Sequence, residues 1–286
     1  MTLTRHTPAK LNLGLHILRR RSDGYHDLQT VFVPIGWMDT LTATPAPDLR
    51  FACSDPTLPT DARNLVVRAS EALRRYTGTT EGAALHLDKN LPHGAGLGGG
   101  SSDAAATLLL LSDLWGLAVP PADLHALSRG LGADVPFFLD PRPALATGIG
   151  DVLTPLAGED GAPYRLPYPL VVAVPPVAVS TAEAYRHVTP HGEGRPDLAA
   201  VVCSNDLERW RRELTNDFEA PVVAAYPALA PVREALHDAG AAFVSMSGSG
   251  SAFFGVFDDD ALALAAAEAL RYAGCSVWHG VAEQVA

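Results

Sequence analysis

Five glycines, Gly94, Gly96, Gly98, Gly99 and Gly100, fall within seven positions of the segment LPHGAGLGGGSSDAAA, and Ser101, Ser102 and Asp103 follow at once. Glycine reaches φ > 0 and lets backbone N–H groups approach a ligand, while Ser-Ser-Asp before a run of alanines reads as the capped start of a helix. A glycine loop feeding a helix N-terminus is an anion site. Phosphoryl transfer to an alcohol at such a site needs a base for the hydroxyl proton, a cation beside the developing charge, and Mg²⁺ on the phosphates. Asp134, in GADVPFF, is a carboxylate set in an apolar run after a glycine; Lys10, in TPAKLNLGL, shares one face of a strand with Asn12 and Gly14 by alternation. Each also admits a plainer use, Asp134 as a helix N-cap or turn residue and Lys10 as a solvated strand end. Gly24-Tyr25-His26 offers a ring that can stack on a base and an imidazole that can hydrogen-bond a pyrimidine edge, or else a turn aromatic beside a surface histidine.

Several phosphate cradles share this outline. Gly94 to Gly99 satisfies GxGxxG, but a dinucleotide fold needs an apolar strand ending in Asp or Glu after the helix, and GLAVPPADLHALSRG reads as another helix. No GK[ST] closes the run, which excludes a Walker A loop, and neither HRD nor DFG occurs, which excludes a protein-kinase loop. A glycine turn that serves only tight packing leaves the Ser-Ser-Asp cap without a purpose.

The elements that must position these residues read as a sheet of short strands over residues 3–18 and 28–53, a helix at about 62–77, and a strand in GAALHLDKNLP leading into the glycine loop. A helix from Ser102 to about Trp115, apolar nearly all round, is expected to lie buried, with another at about 121–130. The aperiodic Gly/Pro-rich segment 156–168 marks a domain boundary, giving an N-terminal domain over 1–160 and a C-terminal one over 161–286. Beyond it the pattern predicts a strand in LVVAVP, helices near 181–187, 205–214, 228–239 and 260–273, a strand pair around SGSGS, and a last strand at about 275–281. Strands and helices alternate without a regular βαβ cadence, which points to an α+β protein.

At 286 residues the chain suits two medium domains, and 48% hydrophobic residues allow a sizeable core. A formal charge of −11 argues against nucleic-acid and anionic-membrane partners. Cys53, Cys203 and Cys275 are odd in number, far apart and without a CxxC pair, so a reducing compartment fits; no targeting segment or apolar span is evident, and the expectation is a cytoplasmic protein. His187-x₃-His191 has a helical zinc spacing, but Pro190 breaks the helix that would align the rings, so no zinc is expected. Arg19-Arg20-Arg21 reads as a solvated turn.

The pattern P-x-G-A-G-L-G-G-G-S-S-D-A-A-A, from Pro92, resembles the ATP-binding motif of the GHMP kinases. Two further segments are similar to that family's motifs in the same order, PAKLNLGLHILRRRSDGYHDLQTVF near the N-terminus and FVSMSGSGSAFFGVF near the C-terminus. PAK-LNL followed by R-x-DGYH-x-L-Q-T, with GADVPFFL and LxNDFE (Leu214, Asn216 to Glu219), is similar to the branch that phosphorylates a diphosphocytidyl methylerythritol in the non-mevalonate isoprenoid route.

The resemblance implies a two-domain α+β fold, its N-terminal half like ribosomal protein S5 domain 2 and its C-terminal half ferredoxin-like, with ATP and Mg²⁺ as cofactors and a small-molecule substrate. It implies that Pro92, Gly94, Ala95, Gly96, Leu97, Gly98, Gly99, Gly100, Ser101 and Ser102 wrap the triphosphate, with Asn64 on the adenine side. Asp134 becomes the base and Lys10 the group beside the phosphoryl, with Asn12 at the substrate; Mg²⁺ is left to the phosphates and to Ser101 or Ser102, with no glutamate assigned. Tyr25 and His26 hold the cytosine, Tyr185 faces Tyr25 from the second domain, Thr181 donates to the substrate's diphosphate, and Gly248, Ser249 and Gly250 back the first loop. His93 departs from the pattern, standing where a smaller or apolar residue is expected. The chain is expected to act as a monomer or weak homodimer. Rival readings are a family kinase for homoserine or mevalonate, and a non-catalytic sensor; the DGYH segment with Tyr185 opposes the first, and retention of Lys10 with Asp134 opposes the second.

Overall fold

Two long strands open the chain, β1 (Leu3–Arg20) and β2 (His26–Ala46), joined by a tight turn in which Gly24 takes φ 90° and Arg21 N–H donates to Tyr25 C=O. β1 pairs with β2, and from Thr7 to Ile17 it is buried on both faces: Leu11, Leu13, Leu15 and Ile17 line one, while Lys10, Asn12, Gly14 and His16 alternate with them on the other. The computed structural model describes residues 1–158 and 160–282. By contact they form two compact units built from discontinuous stretches: Met1–Ala9, Trp37–His93 and Gly98–Pro141 in the first, Lys10–Gly36, Gly94–Leu97 and the chain from Arg142 onward in the second.

In the first unit β3 (Arg50–Cys53) lies parallel to β4 (Gly82–Asp88), which pairs antiparallel with the C-terminal part of β2 from Thr40↔Asp88 to Ala46↔Gly82. Between them α1 (Leu65–Thr77) starts at Asn64, whose side chain accepts from Val66 N–H, and stops at Gly78 in the left-handed region. Then come α2 (Gly99–Leu114), α3 (Pro121–Leu131), and a 3-10 turn at Val135–Leu139. α2 is buried over nearly its whole circumference, as its Ala/Leu composition demands. It begins three residues earlier than the sequence pattern suggests, since Gly98 at φ 74° turns the chain directly into the helix.

In the second unit β5 (Ala144–Thr147) pairs with the N-terminal part of β2 and with β6 (Val152–Pro155). After the 156–168 segment, of which Leu156, Tyr164 and Leu166 are buried, β7 (Pro169–Val174) is followed by α4 (Thr181–His187), α5 (Leu198–Cys203), α6 (Leu207–Glu213), α7 (Glu219–Ala225) and α8 (Ala230–Asp238). β8 (Phe243–Met246), β9 (Phe253–Val256), α9 (Asp260–Tyr272) and β10 (Ser276–Val281) complete an antiparallel sheet ordered β10-β7-β9-β8, the ferredoxin-like arrangement, on which α8 and α9 pack. Its core joins Leu15 and Ile17 of β1 to Val171, Phe218, Met246 and Phe253. Among the described residues no helix is long and apolar enough to cross a membrane. With mixed helices and strands in both units, the fold is of the expected α+β class.

Candidate active site

At the head of α2 the helix N-cap is Gly98, and no side chain caps it. Ser101, Ser102 and Asp103 therefore lie inside the first turns rather than capping them, which corrects the reading of Ser-Ser-Asp as a cap. The consequence is that the first-turn N–H groups receive no side-chain oxygen and stand at the positive end of the helix dipole. Ser102 Oγ is fully buried there and has no hydrogen-bond partner among the described residues. Gly100 is exposed and Ser101 half-buried. Asp103 is buried; its carboxylate accepts from Thr7 Oγ1 at 2.8 Å and from Lys89 Nζ at 3.1 Å. Burial raises its pKa above the usual carboxylate range, against the pull of the Lys89 ammonium.

The preceding part of the loop, Gly94–Leu97, is stitched into the second unit. Lys10 N–H donates to Leu97 C=O and Ala252 N–H to Ala95 C=O, at 2.9 and 3.1 Å. Gly96 C=O accepts from Lys10 Nζ at 2.8 Å and from Ser247 Oγ at 3.1 Å. Gly96 takes φ 78°, and a Cβ there would sit 2.1 Å from Ser247 O, so only glycine permits the two glycine loops to approach this closely. Lys10 is buried, packs 5.2 Å from the centre of the Phe32 ring, and shares Asn12 Oδ1 with Ser247. Asn12 Nδ2 in turn donates to Thr30 Oγ1, which donates to Gly14 C=O. Both ends of the Asn12 amide are thus engaged, fixing the strand face that carries Lys10.

The SGSGS segment is held from behind by Asn216, whose Nδ2 donates to the carbonyls of Met246 and Gly248 while Oδ1 accepts from Phe218 N–H. Ser249 Oγ lies 2.9 Å from Thr181 Oγ1 at the head of α4. On the same helix Tyr185 stacks on His26, with centroids 4.7 Å apart and planes 20° from parallel, and meets Phe218 edge-on. Tyr25 is exposed. The structure therefore brings His26 and Tyr185 together, and the ring against Tyr185 is the imidazole rather than the phenol the sequence suggests. Burial, with Arg20 nearby, lowers the His26 pKa from its ordinary value.

Asp134 precedes the 3-10 turn at Val135–Leu139, half-buried, and makes no capping bond to it, so the plainer N-cap role is not what its carboxylate does. Asn64 caps α1 through Val66 N–H and donates to Pro59 C=O. Pro92 is half-buried beside exposed His93 and Gly94. Arg19 and Arg21 pair with Asp23 and Asp27 on the exposed turn, as a solvated basic run does. Among the described residues no group of three or more His, Cys, Asp or Glu could hold a metal ion, and the three cysteines are free. Thr30 and Ser247 escape sequence reasoning altogether, because nothing local distinguishes either from an ordinary sheet or turn hydroxyl.

Family comparisons follow the same geometry. The model described as "GHMP kinases N terminal domain" matches residues 64–140, across the helix and glycine loop, and "GHMP kinases C terminal" matches 198–274. The 4-diphosphocytidyl-2-C-methyl-D-erythritol kinase of Salinibacter ruber is 54% identical over 272 residues, covering 95% of each chain. That of Chlorobium limicola is 46% identical, covering 92% of this chain and 93% of its own. A crystal structure of 4-(cytidine 5'-diphospho)-2C-methyl-D-erythritol kinase superposes with a TM-score of 0.81 at 40% identity, covering 98% of both chains. Homoserine kinase from Cytophaga hutchinsonii, at 18% identity and a TM-score of 0.72, shares the fold. With both halves matched and relatives of this identity along nearly the whole length, the chain is a small-molecule kinase that belongs to the GHMP kinases, in the branch of the 4-diphosphocytidyl-2-C-methyl-D-erythritol kinases.

Proposed function

We propose that the chain transfers the γ-phosphoryl group of ATP to the 2-hydroxyl of 4-diphosphocytidyl-2-C-methyl-D-erythritol, giving the 2-phosphate and ADP, a step of non-mevalonate isoprenoid synthesis. The observation that carries the nucleotide half is the uncapped head of α2, with its first-turn N–H groups open to an anion and Ser102 Oγ buried there without a partner. The acceptor rests on the names of relatives 54% and 46% identical and on the paired rings of His26 and Tyr185.

In this reading Gly94, Ala95, Gly96, Leu97, Gly98, Gly99 and Gly100 supply the backbone cradle, flanked by Pro92, with Asn64 on the adenine side. Lys10 offsets charge at the transferring group from a position set by Gly96 C=O and Asn12, so its ammonium needs no reorganisation when charge develops. Asp134 takes the hydroxyl proton. Tyr25, His26 and Tyr185 hold the cytosine, and Thr181 and Ser249 present hydroxyls to the diphosphate. The site fits Mg²⁺ through Ser102, whose orphaned hydroxyl, or that of neighbouring Ser101, would hold it with the phosphates; bound there, the ion neutralises phosphate charge. The domain division at 160/161 falls between the two family models. Three free cysteines fit the reducing cytoplasm, and a chain with net charge −11 and a small-molecule substrate needs no nucleic-acid or membrane partner, acting as a monomer or weak homodimer.

The test is ADP release from Mg·ATP with the diphosphocytidyl alcohol, homoserine and mevalonate as separate acceptors. Turnover of the cytidyl alcohol alone is expected. Turnover of another alcohol instead would overturn the acceptor reading while keeping the family.

A further inference from the structure

The chain contains only two lysines against nineteen arginines. One is Lys10. The other, Lys89, directly follows β4 ahead of the glycine loop, and its side chain is also withdrawn from solvent: it is 4% exposed, beside Asp39 at 0% and Asp103 at 4%. Lys89 Nζ donates to Asp39 Oδ2 and to Asp103 Oδ2. Asp39 Oδ1 accepts from Asn90 N–H at 2.6 Å and Leu91 N–H at 2.7 Å, the residues that lead into the loop. Asp103, on the first turns of α2, leads out of it and is held by Thr7 as well. Gly99 packs directly on this group, since a Cβ there would come within 3.1 Å of Lys89 Nζ and 3.3 Å of Leu91 Cδ1.

We propose that Lys89 is a positioning residue for the nucleotide loop: by bridging Asp39 and Asp103 it fixes the two strand and helix ends from which the loop is strung. The inference rests on the reading that this loop holds the phosphates of ATP.

Two physical arguments carry it. Burying three charges is costly, and an apolar cluster of similar volume stabilises a fold as well or better, so the ion triad is explained by the geometry it imposes rather than by stability. The chain leaves this unit at His93 and returns at Gly98. Glycines in between give that stretch little stiffness of its own, and the separation of its ends must be set from outside. Charge matters as well. An unpaired carboxylate on the first turns of α2 would occupy the positive end of the dipole that an incoming phosphate uses, and the Lys89 ammonium neutralises it.

The experiment compares the wild type with Lys89→Met/Asp103→Asn, which removes the bridge but leaves the same net charge of minus one in the cluster, on Asp39. ADP affinity by titration calorimetry and KM for ATP and for the acceptor are measured on each. The bridge predicts a loss of ADP affinity and a rise in ATP KM of about tenfold or more, the scale on which small misplacements act, with the acceptor KM unchanged. Lys89→Arg, which keeps the charge and a fork able to reach both carboxylates, restores most of the affinity. A folded double variant that binds ADP like the wild type overturns the role of Lys89 and leaves the loop reading intact. A wild type that binds no ADP, or a Gly96→Ala variant that binds it normally, overturns the loop reading and the inference with it. If the double variant does not fold, Asp103→Asn alone decides: it cuts the tie at the helix end, and unchanged ADP affinity overturns the proposal.

Discussion

His26 lies nearly parallel to Tyr185 at a centroid distance of 4.7 Å, although the two residues are separated by most of the chain. For a cytosine that takes the place of the His26 ring on Tyr185, base stacking on an aromatic contributes about 1–3 kcal/mol. Tyr185→Ala is therefore expected to raise the acceptor KM by roughly 5- to 150-fold while the ATP KM holds, and Tyr185→Phe, which keeps the ring and its edge contact with Phe218, should behave like the wild type. Steady-state kinetics with each substrate varied in turn would measure this; an unchanged acceptor KM in Tyr185→Ala would sink the cytosine assignment.

Asp134 stands ahead of the 3-10 turn without capping it and is the group proposed to take the hydroxyl proton. Asp134→Ala is expected to lower kcat by about 10²–10⁴, the usual worth of a general base, with an unchanged ADP affinity. Near-normal turnover would mean that another group takes the proton.

The two glycine loops touch through Gly96. Gly96→Ala must accept a left-handed alanine, at about 1–2 kcal/mol, and also push Ser247 O away from a 2.1 Å contact. Gly94 has a similar φ of 68° but open space where a Cβ would point. Thermal melts of Gly94→Ala and Gly96→Ala thus separate the backbone cost from the contact between loops. The second variant is expected to melt well below the first, and equal melting temperatures would show that the approach is not needed.

His16 supplies a pH signature. It is fully buried, with Nε2 3.3 Å from Thr215 Oγ1 and Nδ1 without a partner among the described residues. Burial, then Arg195, lower its pKa from 6.5 to about 4, against the opposing pull of Asp217. The folded state disfavours the imidazolium that the unfolded chain accepts at its ordinary pKa. This stabilisation is therefore present above pH 6.5 and is lost as pH falls through 4, by at most about 3 kcal/mol. Denaturant titrations at pH 7 and pH 4.5 should show His16→Gln losing less stability between the two than the wild type. Equal losses would place the acid sensitivity elsewhere.

The chain's own pattern determined much of this. Glycine density with a following apolar run announced a loop feeding a buried helix, and α2 is that helix, because Ala and Leu fill Ala104–Leu111 except at Thr107 and such a stretch needs cover on nearly every side. The helices near 181–187, 228–239 and 260–273 and the strands around SGSGS were legible for the same reason, since periodicity records which faces are covered. Where α2 begins was not legible: Ser-Ser-Asp has capping chemistry, and only the backbone angle of Gly98 moved the start and left Ser102 Oγ orphaned. Nor could the sequence show that Lys89 and Asp39, fifty residues apart, share a buried ion cluster with Asp103, that Ser247 and Lys10 meet on Gly96 C=O, or that His26 rather than Tyr25 lies on Tyr185. Those pairings depend on the register of long strands and the close passage of two loops. Local residue preferences carry no information about which distant segment arrives, so these contacts belong to the tertiary structure alone.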